Sequence, residues 1–465
     1  MRLAGLAAAL RDWLATELRS AGARHSAITL AGSLGRLGLG FLASVLIART
    51  LGPAGYGLIA LLSLVASVLD TVADFGLTYT AVHAVARKLA SGIAAARPIA
   101  AGYWSLTLLL NATGAVAGFA LAEPIARLAL GRPDAEPSIR LVVLGLVTVA
   151  GNGACAALLQ GTRRFERLAL VQVFSQATYL AGVVVLAVAG RLTVEAVVLL
   201  GVLNPLIGFV IGLRLLPSGL LDFRAGFGAP GRHAWGELTR FSRWLWVSSM
   251  LSLLAAQLDL ALVGRWLPAV EVGLYALALN LATKLDILNQ ARFTVLLPSV
   301  ASLGAGAELR THVHRTLIRS AALGFPLLLA FPLAGPLVGL LYGTAYLDAV
   351  PVLLVLVVAV VFDLLTTPLL LLAFPLNAPR VLAASDVVRV ALLVGLASAL
   401  VPVLGPVGAA LAKLGAKVAG AAVTLAALWW LAAPRGARHP PPPPQHREGT
   451  VTRASHGASR EASHG

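Results

Sequence analysis

Stretches of about 20 apolar residues, long enough to cross a hydrocarbon core of roughly 30 Å, recur from residue 27 to residue 430. In lipid the backbone must satisfy its own hydrogen bonds, so such stretches become helices or close into a barrel. The strict alternation of a barrel strand is absent, and helices remain. The reading is an all-α polytopic membrane protein with twelve transmembrane helices, over 27–48, 57–80, 99–120, 141–160, 169–189, 194–213, 244–263, 273–298, 320–341, 351–373, 381–400 and 407–430. Only 12% of residues are charged and 58% are hydrophobic, too few charges to cover a soluble surface, which needs about a quarter.

Orientation follows from the cations. With a cytoplasmic N-terminus, the inside segments carry 24 of the 36 Lys and Arg residues, the outside segments 6, and the spans 6. This asymmetry obeys the positive-inside rule and places both termini in the cytoplasm. The formal net charge of +16 is therefore a topology signal, and a nucleic-acid partner is set aside.

Residues 1–26 place Leu3, Leu6, Leu10, Leu14 and Leu18 at helical spacing among Arg2, Arg11 and Arg19, as in an interfacial amphipathic helix; the apolar core is too short and interrupted for a good signal peptide. Residues 214–243, rich in Gly, Pro and Arg, read as a basic cytoplasmic linker, and 431–465, with five consecutive prolines, as a disordered cytoplasmic tail. The single cysteine, Cys155, lies in an apolar span and permits no intramolecular disulfide.

An internal repeat divides the chain. At a constant offset of 216 residues, 49–70 and 265–286 share 9 of 22 positions, among them Arg49/Arg265, Gly57/Gly273 and Asp70/Asp286. The offset joins the loop after the first span to the loop after the seventh, giving two pseudo-symmetric six-helix bundles of equal orientation, 27–213 and 244–430. Parallel repeats place a substrate path at their interface and rock one half against the other. Gly52, Pro53 and Gly55 end one helix and permit a tight extracytoplasmic turn, and Gly57 starts the next close to its neighbour.

Ionisable residues inside spans are functional candidates by default. The cations are Arg36, Lys284, Arg292, Arg389, Lys413 and Lys417, and the acids Asp70, Asp74, Asp259, Asp286, Asp363 and Asp386. Lys413 and Lys417, four apart, turn two ammonium groups to one side of the last span, suited to a phosphate or to snorkelling. Arg36, among Gly32, Gly35, Gly38 and Gly40, sits on a close-packed or cavity-lining helix and could meet a ligand or pair with Asp70 or Asp74. Asp386 and Arg389, three apart, can neutralise each other. Lys284 and Arg292 share a helix face. Asp70 and Asp74 also share one, which suits either ion coupling or structural hydrogen bonds, and Asp286 repeats Asp70.

The segment "ARTLGPAGYGLIALLSLVASVLDTVADFGLTYTAVHAVAR" resembles the N-terminal signature of bacterial oligosaccharide and polysaccharide flippases of the multidrug/oligosaccharidyl-lipid/polysaccharide exporter superfamily. "QGTRRFERLALVQ", "LDLALVGRWLPAVEVGLYALA", "LLPSVASL", "LYGTAYLDAVPVLLVL" and "GPVGAALA" agree in order. Asp259 falls within the third of these segments. The resemblance implies export of a polyprenyl-pyrophosphate-linked oligosaccharide across the bacterial cytoplasmic membrane for surface polysaccharide, through a cationic cavity between two bundles. Membrane lipids and glycan-assembly proteins are the implied partners. A multidrug-type cation antiporter is the rival within transport; it needs a predominantly acidic cavity, whereas the spans carry as many cations as acids. A membrane glycan polymerase or ligase is the enzymatic alternative, but the longest outside segment, about 20 residues at 121–140, leaves little room for a catalytic domain. No P-loop, HExxH or GxSxG pattern occurs, so no enzyme activity, metal or cofactor is expected.

Overall fold

The computed structural model describes residues 21–289, 307–370 and 379–432. Among them there are helices and no strands. The principal helices are α1 (Ala21–Asp74), α2 (Leu77–Leu89), α3 (Ile93–Ala120), α4 (Glu136–Gly161), α5 (Phe165–Val188), α6 (Val194–Leu215), α7 (Ala229–Trp266), α8 (Ala269–Leu285), α9 (Ala307–Leu329), α10 (Phe331–Tyr342), α11 (Val350–Leu370) and α12 (Pro379–Ala432). Among the described residues, eight helices are long and apolar enough to cross a membrane, or nine when α9 and α10, bent by 57° at their junction, count as one.

Two of these are too long for one crossing. α1 and α12 each contain one non-helical residue, Gly52 (φ 66°) and Gly405 (φ 57°), followed by Pro53 and Pro406. A positive φ carries little penalty for glycine, and proline is pre-set for a first helical turn. Both breaks read Leu-Gly-Pro-x-Gly, at residues 51–55 and 404–408. Contacts show the chain reversing there: the Ser44 and Tyr56 hydroxyls lie 3.2 Å apart, and Ser385 Oγ donates to Gly420 O at 2.7 Å across 35 residues. Each long helix is thus a hairpin of two crossings, compatible with twelve spans. The repeat's second copy breaks at Leu267 and Pro268, between α7 and α8.

The glycines shared by the repeat meet each other. A Cβ on Gly57 would stand 2.6 Å from both Ala269 O and Gly273 N, and one on Gly273 would collide with the Pro53 carbonyl. Further bonds join the halves at this end: Arg49 Nη2 to Leu340 O (2.6 Å), Tyr346 Oη to Ala48 O (2.9 Å) and Arg132 Nη2 to Leu267 O (2.9 Å). Tyr56 packs edge-on against Tyr346 with 6.3 Å between ring centroids. The largest apolar core accordingly runs through both halves, including Leu61, Val263, Leu277, Tyr346 and Ala410.

The predicted linker is largely helical. α7 begins at Ala229, with Pro230 in its first turn, and continues without interruption to Trp266. The chain before it docks on α3: Ser105 Oγ donates to Gly226 O at 2.8 Å and accepts from Trp235 Nε1 at 3.0 Å, while Gly102 meets Gly231 and Ala234. Gly226 and Gly231 therefore serve close backbone approach rather than a loose connection. Gly32, Gly35 and Gly40 likewise bring α1 against Ala169, Val173 and Gln176 of α5.

Candidate functional site

Two adjoining cavities open along α7. The first, about 430 Å³, lies in the second half between α7, α8, α11 and α12. Its charged lining is Asp286, Asp363, Asp386, Arg389, Lys413 and Lys417. The second, about 750 Å³, lies against the first half and is lined by Asp70, Asp74, Thr78, Tyr79, Tyr103 and Asn111, with no Lys or Arg. Ser248 and Ser252 of α7 line both, so the two spaces adjoin.

In the first cavity every cation already holds a carboxylate. Lys413 Nζ donates to Asp259 Oδ2 at 2.7 Å and to Ala256 O at 3.1 Å, tying α12 to α7. Lys417 pairs with Asp363, tying α12 to α11. Arg389 Nη1 pairs with Asp386 at 3.2 Å within α12. Asp259 is 0% exposed and also accepts from the Tyr275 hydroxyl. Desolvating a charge costs several kcal/mol, which a partner at hydrogen-bond distance offsets; removing one partner of such a pair costs about 3–5 kcal/mol. Asp286, the repeat counterpart of Asp70, accepts from Asn289 Nδ2 at 2.8 Å.

Helical spacing foretold that Lys413 and Lys417 share a site and that Arg389 meets Asp386. It could not foretell Asp259 and Asp363 as the lysines' partners, which lie 154 and 54 residues away, nor the Tyr275 hydroxyl. The remaining candidates scatter. Arg36 is exposed and makes no ion pair with Asp70, Asp74 or another described residue. Lys284 lies outside the 430 Å³ cavity lining, its Nζ 5.8 Å from the centre of the Phe41 ring, a cation–π contact across the halves. Arg292 falls outside the described residues.

In the second cavity Asp74 Oδ1 accepts from Thr78 Oγ1 at 2.5 Å and from Thr78 N at 3.3 Å, and the Tyr103 hydroxyl lies 3.2 Å from Thr78 Oγ1. Asp70 lines this space and a neighbouring apolar one of about 310 Å³. Asn111 is 2% exposed; its Nδ2 donates to Thr107 O at 2.9 Å, while its Oδ1 has no partner among the described residues. The combination of an acidic, hydroxyl-rich chamber beside a chamber of tethered cations can receive a solute with a neutral polar part and an anionic part.

The fold is shared with known transporters. The chain is similar to an inward-facing multidrug resistance transporter of the multidrug/oligosaccharidyl-lipid/polysaccharide superfamily, with TM-score 0.68, 16% identity and coverage of 85% of this chain and 95% of that one. It is similar also to the lipid II flippase MurJ in an inward closed conformation, with TM-score 0.66, 12% identity and coverage of 86% and 87%. In sequence it is 27% identical over 346 residues to the lipopolysaccharide biosynthesis protein WzxC of Escherichia coli (strain K12), a match spanning 72% of this chain and 66% of that protein, just under two thirds of its length. Residues 46–351 match the polysaccharide biosynthesis protein family, and the chain belongs to that family.

Proposed function

We propose that this protein is a flippase that carries a polyprenyl-pyrophosphate-linked oligosaccharide across the bacterial cytoplasmic membrane by alternating access, with both termini in the cytoplasm. The observation that carries this reading is the convergence of Arg389, Lys413 and Lys417 on one cavity beside a second, cation-free one at the junction of the two halves. Ammonium and guanidinium groups bind phosphate oxygens through charge-assisted hydrogen bonds, so an arriving pyrophosphate competes with Asp363 and Asp386 for donors that are already in place. Membership of a polysaccharide biosynthesis family and likeness to a lipopolysaccharide biosynthesis protein support a role in surface polysaccharide assembly. Chemistry on the glycan belongs to partner proteins in this reading, and the chain itself acts as a carrier and not as an enzyme.

The test is translocation of a fluorescent polyprenyl-pyrophosphate-linked saccharide in vesicles containing the purified protein. Lys417→Met combined with Asp363→Leu removes one cation without stranding its partner. The expected result is at least a tenfold loss of translocation at unchanged protein level. A multidrug-type cation antiporter is the second reading, favoured by Asp70 and Asp74 in the cation-free cavity. Exchange of organic cations for protons or sodium by a protein that moves no lipid-linked saccharide would establish it in place of the first.

A further inference from the structure

The cation-free cavity is chemically unlike its neighbour. Its volume, about 750 Å³, falls in the roughly 300–1,000 Å³ range of small-molecule sites. Hydroxyls arrive from three directions: Thr71 on α1, Thr78 and Tyr79 on α2, and Ser248, Ser249 and Ser252 on α7. Asp70 and Asp74 supply carboxylate acceptors. Tyr79 is 64% exposed and lines the edge of the space.

Each candidate occupant can be weighed against this lining. A phosphate would meet two carboxylates and no cation. A polyprenyl chain would leave the Asp70 carboxylate, which has no hydrogen-bond partner among the described residues, facing hydrocarbon, at a cost. A sugar ring matches: its vicinal hydroxyls both donate and accept, suiting carboxylate and hydroxyl partners, and the C–H edges of a pyranose pack against the negative face of an aromatic ring. We infer that this cavity is the glycan subsite of the carrier, reading the first sugars through Asp70, Tyr79 and Ser249, while the adjoining cavity with its tethered cations holds the pyrophosphate. The inference rests on the flippase reading above and assigns the two parts of the cargo to opposite halves of the protein, with Ser248 and Ser252 of α7 at the boundary.

Two probes separate the sugar from the phosphate. The first is the lipid-linked oligosaccharide extracted from the source membranes, and the second is sugar-free polyprenyl pyrophosphate; both are titrated against the full chain in nanodiscs. Wild type should bind the glycosylated lipid more tightly. Ser249→Ala and Tyr79→Ala should each weaken binding of the glycosylated lipid by about 3- to 10-fold, the worth of one or two hydrogen bonds or a stacking contact, and leave the sugar-free lipid within twofold. Lys417→Met/Asp363→Leu should weaken both lipids alike. Thermal midpoints identify variants that lose binding through unfolding; Tyr79, being exposed, is the variant least subject to that. Equal affinity of wild type for the two lipids, or equal losses for both lipids in the Ser249 and Tyr79 variants, would overturn the glycan subsite and leave the flippase reading standing. Failure of wild type to bind either lipid would overturn both, and binding of an organic cation displaced by Asp70→Asn would replace the sugar with a cationic solute.

Discussion

Gly57→Ala places a methyl group where the two halves touch. The new Cβ stands 2.6 Å from Ala269 O and Gly273 N and 3.0 Å from Gly273 Cα, against the 3.4 Å or more of ordinary contact. All three obstructing atoms are backbone, so no side chain can swing away, and the seam must part by roughly 0.8 Å or the halves must tilt. Overpacking of this kind costs about 1–3 kcal/mol. The cost falls only on the state in which this end is closed, because separating the halves relieves the clash. At about 1.4 kcal/mol per factor of ten, the closed-to-open ratio should drop by about 5- to 150-fold. Spin labels at Ala54 and Val270, one on each half and both exposed, in a Cys155→Ser background report the separation by pulsed electron paramagnetic resonance. The substitution should move population from the short-distance peak to a longer one. Gly38→Ala, which meets nothing within 4 Å, should leave the distribution as in the parent protein. An unchanged distribution in folded Gly57→Ala protein would refute the view that this glycine pair sets the closed seam.

Other outcomes follow from features equally local. Lys413→Ala strands the fully buried Asp259 carboxylate and should lower stability by about 3–5 kcal/mol, seen as a fall in thermal midpoint, whereas Lys413→Met/Asp259→Leu should recover most of it. Gly405→Ala forces a side chain into φ 57° and should cost about 1–2 kcal/mol in the same assay, with nothing similar at Gly395, a helical position with open space around it. Trp235→Phe removes the indole donor to Ser105 and should cost about 1 kcal/mol while speeding hydrogen exchange around Gly226.

Much of the fold was legible because membrane helices announce themselves by length and hydrophobicity. The turns at Gly52 and the equivalence of 49–70 with 265–286 were legible too, since a Gly-Pro break has a fixed backbone meaning. A repeat offset, however, states which residues are equivalent and not which touch. Gly57 was expected to approach a neighbour within its own hairpin, and it approaches its own counterpart, Gly273, in the other half. The shape of the connector was hidden for a related reason: composition marks 214–243 as a basic linker without stating its backbone, whereas Pro230 opens α7 and Gly226 and Gly231 let the backbone press against α3. At the site, an i to i+4 spacing revealed the shared face of Lys413 and Lys417. Their carboxylate partners come from α7 and α11, and only tertiary packing brings those together. Asn111 carries no signal in the sequence that its buried amide oxygen would be left without a partner among the described residues.

The one-to-one tethering of Lys413, Lys417 and Arg389 also has an electrical meaning. Each pair is a dipole with no net charge, so when the unloaded carrier resets, these groups do no work against the membrane potential. A bound pyrophosphate brings uncompensated negative charge into the same space, and each elementary charge crossing the full field is worth about 2.3 kcal/mol per 100 mV. With the cell interior negative, that field pushes an anionic cargo outward, while the three tethered pairs add nothing to the empty stroke. On the flippase reading, the tethering thus lets voltage act on the charge of the cargo and not on these three cations.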